Sequence, residues 1–273
     1  MRTPSADLSG RTALVTGANH GIGAATARRL AAAGAAVLLS YLRLQDQPDE
    51  GTPEPYAENR ARSADDVVEE IRSSGGRAEA IEADLRDPAT APTLFDTAER
   101  ELGPVDILIN NASGWTVDTF RMTGTDRLGR SLVRVSAETI DTVFSVDARA
   151  AALLIAEFAQ RHIARGAVWG RIIALTSGGP LGFPEEVSYG AAKAALENYT
   201  MSAAFELGPY GITANAVYPP VTDTGWVTPS VREQVAKRNE LIHIASPDDV
   251  ADVIDLLCSE QARLVTGNVI HLR

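Results

Sequence analysis

Residues 171–193 read RIIALTSGGPLGFPEEVSYGAAK. The first half is a strand pattern, the apolar run Ile172, Ile173, Ala174 and Leu175, and it ends in a Thr-Ser-Gly-Gly turn. The second half enters an alanine-rich run of high helix propensity at Tyr189. Tyr189 and Lys193 stand four residues apart, so a helix brings their side chains to one face. Ser177, just past the strand, can meet them there. A serine, a tyrosine and a lysine so arranged can give a proton to a carbonyl oxygen or take one from an alcohol.

Outward from this stretch the chain repeats strand, turn and helix. Residues 11–16 (RTALVT) form a short apolar strand that runs into Gly17-Ala-Asn-His-Gly21-Ile-Gly23 and then into an alanine-rich helix. Glycines let a backbone turn tightly and approach a pyrophosphate, while the free N–H groups of a helix start face the anion. Residues 34–41 give a second strand and complete a β-α-β unit. At the place where an acid selects NAD, the chain has Tyr41, then Leu42 and Arg43, and no carboxylate. Arg43 could pair with a 2′-phosphate, and His20 could add a second donor, so NADP(H) is favoured over NAD(H). The residues that follow, 45–59, carry three prolines and five acids with no base, a composition that predicts an exposed insert. Asp46 within it could still reach a ribose.

A third strand, residues 77–83, ends at Asp84-Leu85. Asp84 could accept from an adenine amino group or cap the helix that starts near Asp87-Pro88. A fourth strand, residues 105–109, is followed by Asn110-Asn111-Ala112-Ser113. Short polar residues at a strand's carboxyl end either border a ligand crevice or hold the neighbouring backbone. Residues 115–135 form a second long connection with four arginines and two acids, in which Trp115, Phe120 and Met122 are candidates for substrate contact. Residues 136–160 read as one or two helices capped at Ser136. Asp147 interrupts an apolar pattern there; an unpaired buried carboxylate is expensive, so taken alone it faces water. Residues 212–218 are another strand, and the Pro219-to-Trp226 turn beyond it should border the crevice, with Thr222 and Thr224 as candidate cofactor contacts. His162, His243 and His271 have no clear ligand partner and read as non-catalytic.

The chain's 273 residues are 45% hydrophobic and 22% charged, as in ordinary globular proteins. A net charge of −11 with no basic patch argues against a nucleic-acid partner. The one cysteine, Cys258, can form neither an internal disulfide nor a cysteine-rich metal site, and it reads as a small apolar residue of a helix. No apolar run approaches the ~18 residues of a membrane span, and residues 1–10 do not resemble a signal peptide, which makes a cytoplasmic setting the expectation.

Together, TGANHGIG (16–23), Asp84-Leu85, NNAS (110–113), the Ser177 turn, Tyr189-Gly-Ala-Ala-Lys193 and Asn215-Ala-Val-Tyr-Pro219 resemble the short-chain dehydrogenase/reductase family over residues 9–272. The resemblance implies an α/β, Rossmann-like, doubly wound fold. Its seven-stranded, mostly parallel sheet would carry helices on both faces in one NAD(P)-binding domain spanning 1–273, with inserts near 43–62 and 115–135. It implies Tyr189 as general acid/base, Ser177 as holder of the substrate oxygen, and Lys193 on the nicotinamide ribose. The candidate cofactor contacts are Gly17, Asn19, His20, Gly21, Ile22, Gly23, Tyr41, Arg43, Asp84, Leu85, Asn111, Ala112, Ser113, Tyr189, Lys193, Pro219, Thr222 and Thr224. No metal is expected, and a homotetramer or homodimer is.

Four departures from the family pattern stand out. Ser113 replaces the usual glycine of NNAG, and Pro220 follows Pro219 where glycine is usual. The serine-to-tyrosine spacing is one residue short, which makes Thr176 a rival to Ser177. Asp147 aligns with the helix asparagine of the family's proton relay, which places it in the crevice, where it could order a water near Lys193. The expected activity is hydride transfer between a nicotinamide and a small carbonyl or secondary alcohol, as in a 3-oxoacyl reductase or another ketone reductase. The alternative is a nucleotide-binding regulatory protein that has lost turnover.

Overall fold

Alternate residues of each central strand pack against opposite helical layers. The computed structural model describes residues 6–45, 53–122, 124–179, 181–237 and 244–273. Asp46 and His243, singled out in the sequence, lie outside them. The elements in order are β1 (Thr12–Thr16), α1 (Gly21–Ala32), β2 (Ala36–Tyr41), α2 (Glu54–Ala61), α3 (Asp65–Ser73), β3 (Arg77–Glu82), α4 (Thr90–Glu101) and β4 (Val105–Asn110). Then come the short strands β5 (Asp118–Thr119) and β6 (Val133–Arg134), α5 (Ala137–Val143), a π-helical turn (Phe144–Ala150), α6 (Ala151–Ala164) and β7 (Gly170–Leu175). The chain finishes with α7 (Val187–Leu207), β8 (Ile212–Tyr218), α8 (Pro229–Ala236), α9 (Pro247–Cys258) and β9 (Asn268–His271).

Seven strands form one sheet in the order β3-β2-β1-β4-β7-β8-β9, and every pairing in it is parallel. Ala13, Val15, Val37, Leu39, Ile107, Ile109 and Ile173 face the layer of α1, α3 and α9. Their neighbours Leu14, Leu38, Leu108, Ile172 and Ala214 face α4, α6 and α7. This two-sided burial explains why the strands read as unbroken apolar runs. Phe95 and Phe158, each 1% exposed, meet edge to face between α4 and α6, and burying each contributes about 1.5–3 kcal/mol. Cys258, at the end of α9, is buried in the other layer.

Strand order reverses between β1 and β4, so a crevice opens at their carboxyl ends. One local expectation needs correction. The acidic, proline-rich insert reads as an irregular connection, yet its described part enters α2. Pro53 and Pro55 sit where a helix start has no N–H to satisfy, and Glu54 lies at the positive end of the helix dipole. The Ser136 cap forms as expected, with Thr139 as its reciprocal partner.

Candidate active site

The glycine turn is held from across the crevice. Thr16 Oγ1 accepts from the N–H groups of Asn111 and Ala112, each at 3.0 Å. Asn111 Nδ2 in turn donates to the carbonyls of Thr16 and Gly17, each at 2.9 Å. Of the two roles open to this asparagine, the structure shows backbone support. Gly17 and Gly21 adopt φ of +63° and +56°, the left-handed region that favours glycine. A Cβ on Gly23 would collide with the Gly17 carbonyl oxygen and lie 2.6 Å from Asn111 Nδ2. His20 is extended and gives α1 no side-chain cap, so the first amides of that helix look into the crevice. An uncapped helix start beside a cradle that only glycine can line fits the pyrophosphate of a dinucleotide.

One half of the crevice is lined by Asn19, His20, Tyr41, Leu42, Asp84, Leu85 and Arg60, with Ile22, Tyr56 and Thr224 continuing toward the second half. Arg43 is not among these residues: its guanidinium grips Glu82 of β3, with Nη2–Oε2 at 2.7 Å. The cation expected to be open to a 2′-phosphate is therefore matched by a carboxylate. Arg60 of α2, which the sequence reading passed over, lines the space instead. His20 is no charged donor either, because burial and the nearby Arg60 push it down to about 4. Asp84 holds Arg86 through its backbone N–H at 2.9 Å and through the guanidinium. α4 starts at Thr90 without a side-chain cap, so the capping role considered for Asp84 is not realised. Asn59 Nδ2 reaches the Thr224 carbonyl at 3.3 Å and Asn19 Nδ2 reaches the Arg62 carbonyl at 2.9 Å, which ties α2 across the crevice.

At the other end, Ser177 and Tyr189 line the same cavity. Thr176, the rival, is buried and donates to Glu197 at 2.6 Å. Lys193 lies one turn beyond Tyr189 on α7, its ammonium 5.5 Å from the phenol ring centroid. Nζ donates to the Leu175 carbonyl at 2.8 Å and pairs with Asp147 Oδ1 at 2.9 Å. Asp147 is only 1% exposed, and its Oδ2 takes the Gly114 N–H at 2.7 Å. The water-facing reading of Asp147 fails because its partners lie on other elements, brought there by the widened π turn. The pairing with Lys193 is direct, with no water between them. Desolvation, then the carboxylates of Asp147 and Glu186, hold the Tyr189 phenol well above its ordinary value, while the Ser177 hydroxyl acts to lower it.

These groups face a cavity of about 720 Å³ walled by Trp115, Phe183, Tyr218 and Trp226, with Pro219, Pro220 and Thr222 along one side. Ser113 turns its hydroxyl to the Trp115 N–H at 3.1 Å. Phe120 and Met122, 77% and 90% exposed, are not among the wall residues. A buried cluster missed in the sequence closes the far side. Arg130 pairs with Asp126 at 2.6 Å and Glu186 at 2.9 Å, and Trp115 Nε1 donates to Glu186 at 2.8 Å. The four-residue spacing of Asp126 and Arg130 was the available signal. His271 stacks on Tyr218 at 4.8 Å and lines the cavity. His162 is buried against Phe158 and bonded to the Tyr210 carbonyl at 3.0 Å. Among the described residues no cluster of His, Cys, Asp or Glu could hold a metal, and no helix is long and apolar enough to cross a membrane.

A dinucleotide crevice opening into a serine–tyrosine–lysine pocket, on a parallel seven-stranded sheet, defines a nicotinamide-dependent oxidoreductase, and the chain belongs to the short-chain dehydrogenase/reductase family. The family profile described as enoyl-(acyl carrier protein) reductase matches residues 17–272. The chain is 34% identical to cis-4-hydroxycyclohexanecarboxylate dehydrogenase of Sinomonas cyclohexanicum, covering 95% of this chain and 94% of that one. It is 31% identical to a probable tetrahydroxynaphthalene reductase of Zymoseptoria tritici, covering 99% and 97%. Among solved structures it resembles the angucycline C-6 ketoreductase LanV with bound NADP, at 33% identity and a TM-score of 0.78 over 97% of this chain and 95% of that one.

Proposed function

We propose that the protein is an NADP(H)-dependent reductase of cyclic ketones, with Tyr189 as the proton donor. One observation carries this reading: Ser177, Tyr189 and Lys193 line one aromatic-walled cavity that is continuous with the glycine crevice. Ser177 would hold the substrate oxygen and Tyr189 would give it a proton. Lys193, fixed by Leu175 and Asp147, would hold the ribose. The bound cofactor supplies hydride, and the protein supplies position and charge.

Flat aromatic walls suit a ring better than a flexible acyl chain. The relatives named above support this, since each is named for a ring compound. NADP(H) over NAD(H) is supported by Arg60 in the crevice and by the NADP in LanV. Tyr199 and Phe205 of α7, 44% and 82% exposed, support the homo-oligomer expected from the family.

Loss of NADPH absorbance with a panel of cyclic and linear ketones tests the reading. Turnover of cyclic ketones that Tyr189→Phe abolishes is expected. Full activity in that variant would overturn the role of Tyr189, and NADPH binding without turnover of any carbonyl would favour the regulatory alternative.

A further inference from the structure

The ammonium beside Tyr189 carries its own counter-ion. Lys193 and Asp147 are 2% and 1% exposed, and their charged atoms lie 2.9 Å apart. Both carboxylate oxygens are engaged, Oδ1 by the ammonium and Oδ2 by the Gly114 N–H. A neutral amide in this place could accept one of these bonds and leave the lysine's charge unmatched. A lone cation near a phenol draws out its proton, whereas a cation locked to a carboxylate presents only a dipole, whose field falls off faster.

Among the described residues, Arg127, Arg273 and His271 also line the cavity and are solvent-exposed, whereas the buried charges beside Tyr189 are paired. Glu186, just before α7, is matched by Arg130. Tyr56 of α2 is neutral, Phe183 packs on the tyrosine ring at 6.0 Å, and Ser177 supplies a hydroxyl. Arg130 and Lys193 each already hold a carboxylate.

We propose that Asp147 is a positioning residue that cancels the charge of Lys193, keeps Tyr189 a phenol through neutral pH, and so biases the site toward carbonyl reduction. This rests on the reading of Tyr189 as the acid. In reduction the carbonyl carbon receives hydride from a reduced nicotinamide. Its oxygen takes the Tyr189 proton, and the phenolate left behind is reprotonated from water. Alcohol oxidation runs the same exchange backward and needs the phenolate first, the form that the ion pair makes scarce.

The test is a pair of ultraviolet titrations of the ligand-free protein, wild type and Asp147→Asn. In each background a Tyr189→Phe counterpart is subtracted, so that only the Tyr189 phenolate is read. The wild-type midpoint should lie at or above the ~10 of free tyrosine, and Asp147→Asn should lower it by about one pH unit or more. The pH profile of kcat/KM for alcohol oxidation should move the same way. Asp147→Ser serves as the second variant if the asparagine protein does not fold. Equal midpoints in wild type and variant would overturn the inference. A lowered midpoint in a protein that turns over no carbonyl would uphold the charge pairing and overturn the reductase reading.

Discussion

Asp118 of β5 accepts a 2.9 Å hydrogen bond from the backbone N–H of Ser188, the residue next to Tyr189. Its second oxygen takes the Ser188 hydroxyl. The connection between β4 and α5 is thereby fastened to the first turn of the catalytic helix. Asp118 is fully buried, so Asp118→Ala strands the Ser188 donors without water. Losing bonds to a buried charge costs about 2–4 kcal/mol. Urea unfolding should show that loss. kcat/KM should fall about tenfold or more as Tyr189 loses its seat, because small misplacements at a reacting centre are expensive. An unchanged kcat/KM would mean that this connection does not position the tyrosine.

Gly23→Ala tests the crevice floor. The added methyl meets the Gly17 carbonyl and the Asn111 amide, both fixed by hydrogen bonds, so the turn must open. NADPH affinity, followed by nicotinamide fluorescence, should fall about a hundredfold, equivalent to ~2.7 kcal/mol. Gly208→Ala is the control: its φ of −50° is ordinary, nothing crowds its Cβ, and binding should be unaffected.

Arg60→Ala addresses cofactor choice. Should Arg60 hold the 2′-phosphate, NADPH binding weakens about tenfold, or ~1.4 kcal/mol, while NADH binding barely moves. Equal losses for both cofactors would assign Arg60 to the pyrophosphate. No loss would return the role to Arg43.

His20 makes stability depend on pH. Its folded value, about 4, lies below the ~6.5 of an exposed histidine, so the unfolded chain binds the extra proton. The stability it contributes is therefore full above ~6.5 and is lost as pH falls toward the folded value. By pH ~4.5 the loss is roughly 2–3 kcal/mol. His20→Gln should lose that much less than wild type between pH ~7 and ~4.5 in urea unfolding. Parallel losses in the two proteins would show that His20 is protonated in the fold.

What the sequence disclosed was what neighbours along the chain dictate. The strand runs, the glycine turn and the spacing of Tyr189 and Lys193 are local patterns, and the parallel sheet followed from their order. Asp147 was misread in isolation because its meaning lies in Lys193 and Gly114, contacts that only the fold creates. The pairing of Arg43 with Glu82, on the adjacent strand, was hidden for the same reason. α2 was hidden by composition, since prolines and acids suit a loop and a helix start equally well, and the tie from Asn59 to Thr224 is invisible in one dimension.

The place of Cys258 has a practical consequence. Fully buried, with burial pushing its thiol up to about 12, it offers reagents no thiolate while α9 stays docked. A chain with one sulfhydryl can be tagged only once. The rate at which a maleimide marks the native protein is therefore a clock for undocking of the last helix. Addition of NADPH should slow that clock if the dinucleotide braces α1, the helix against which α9 packs.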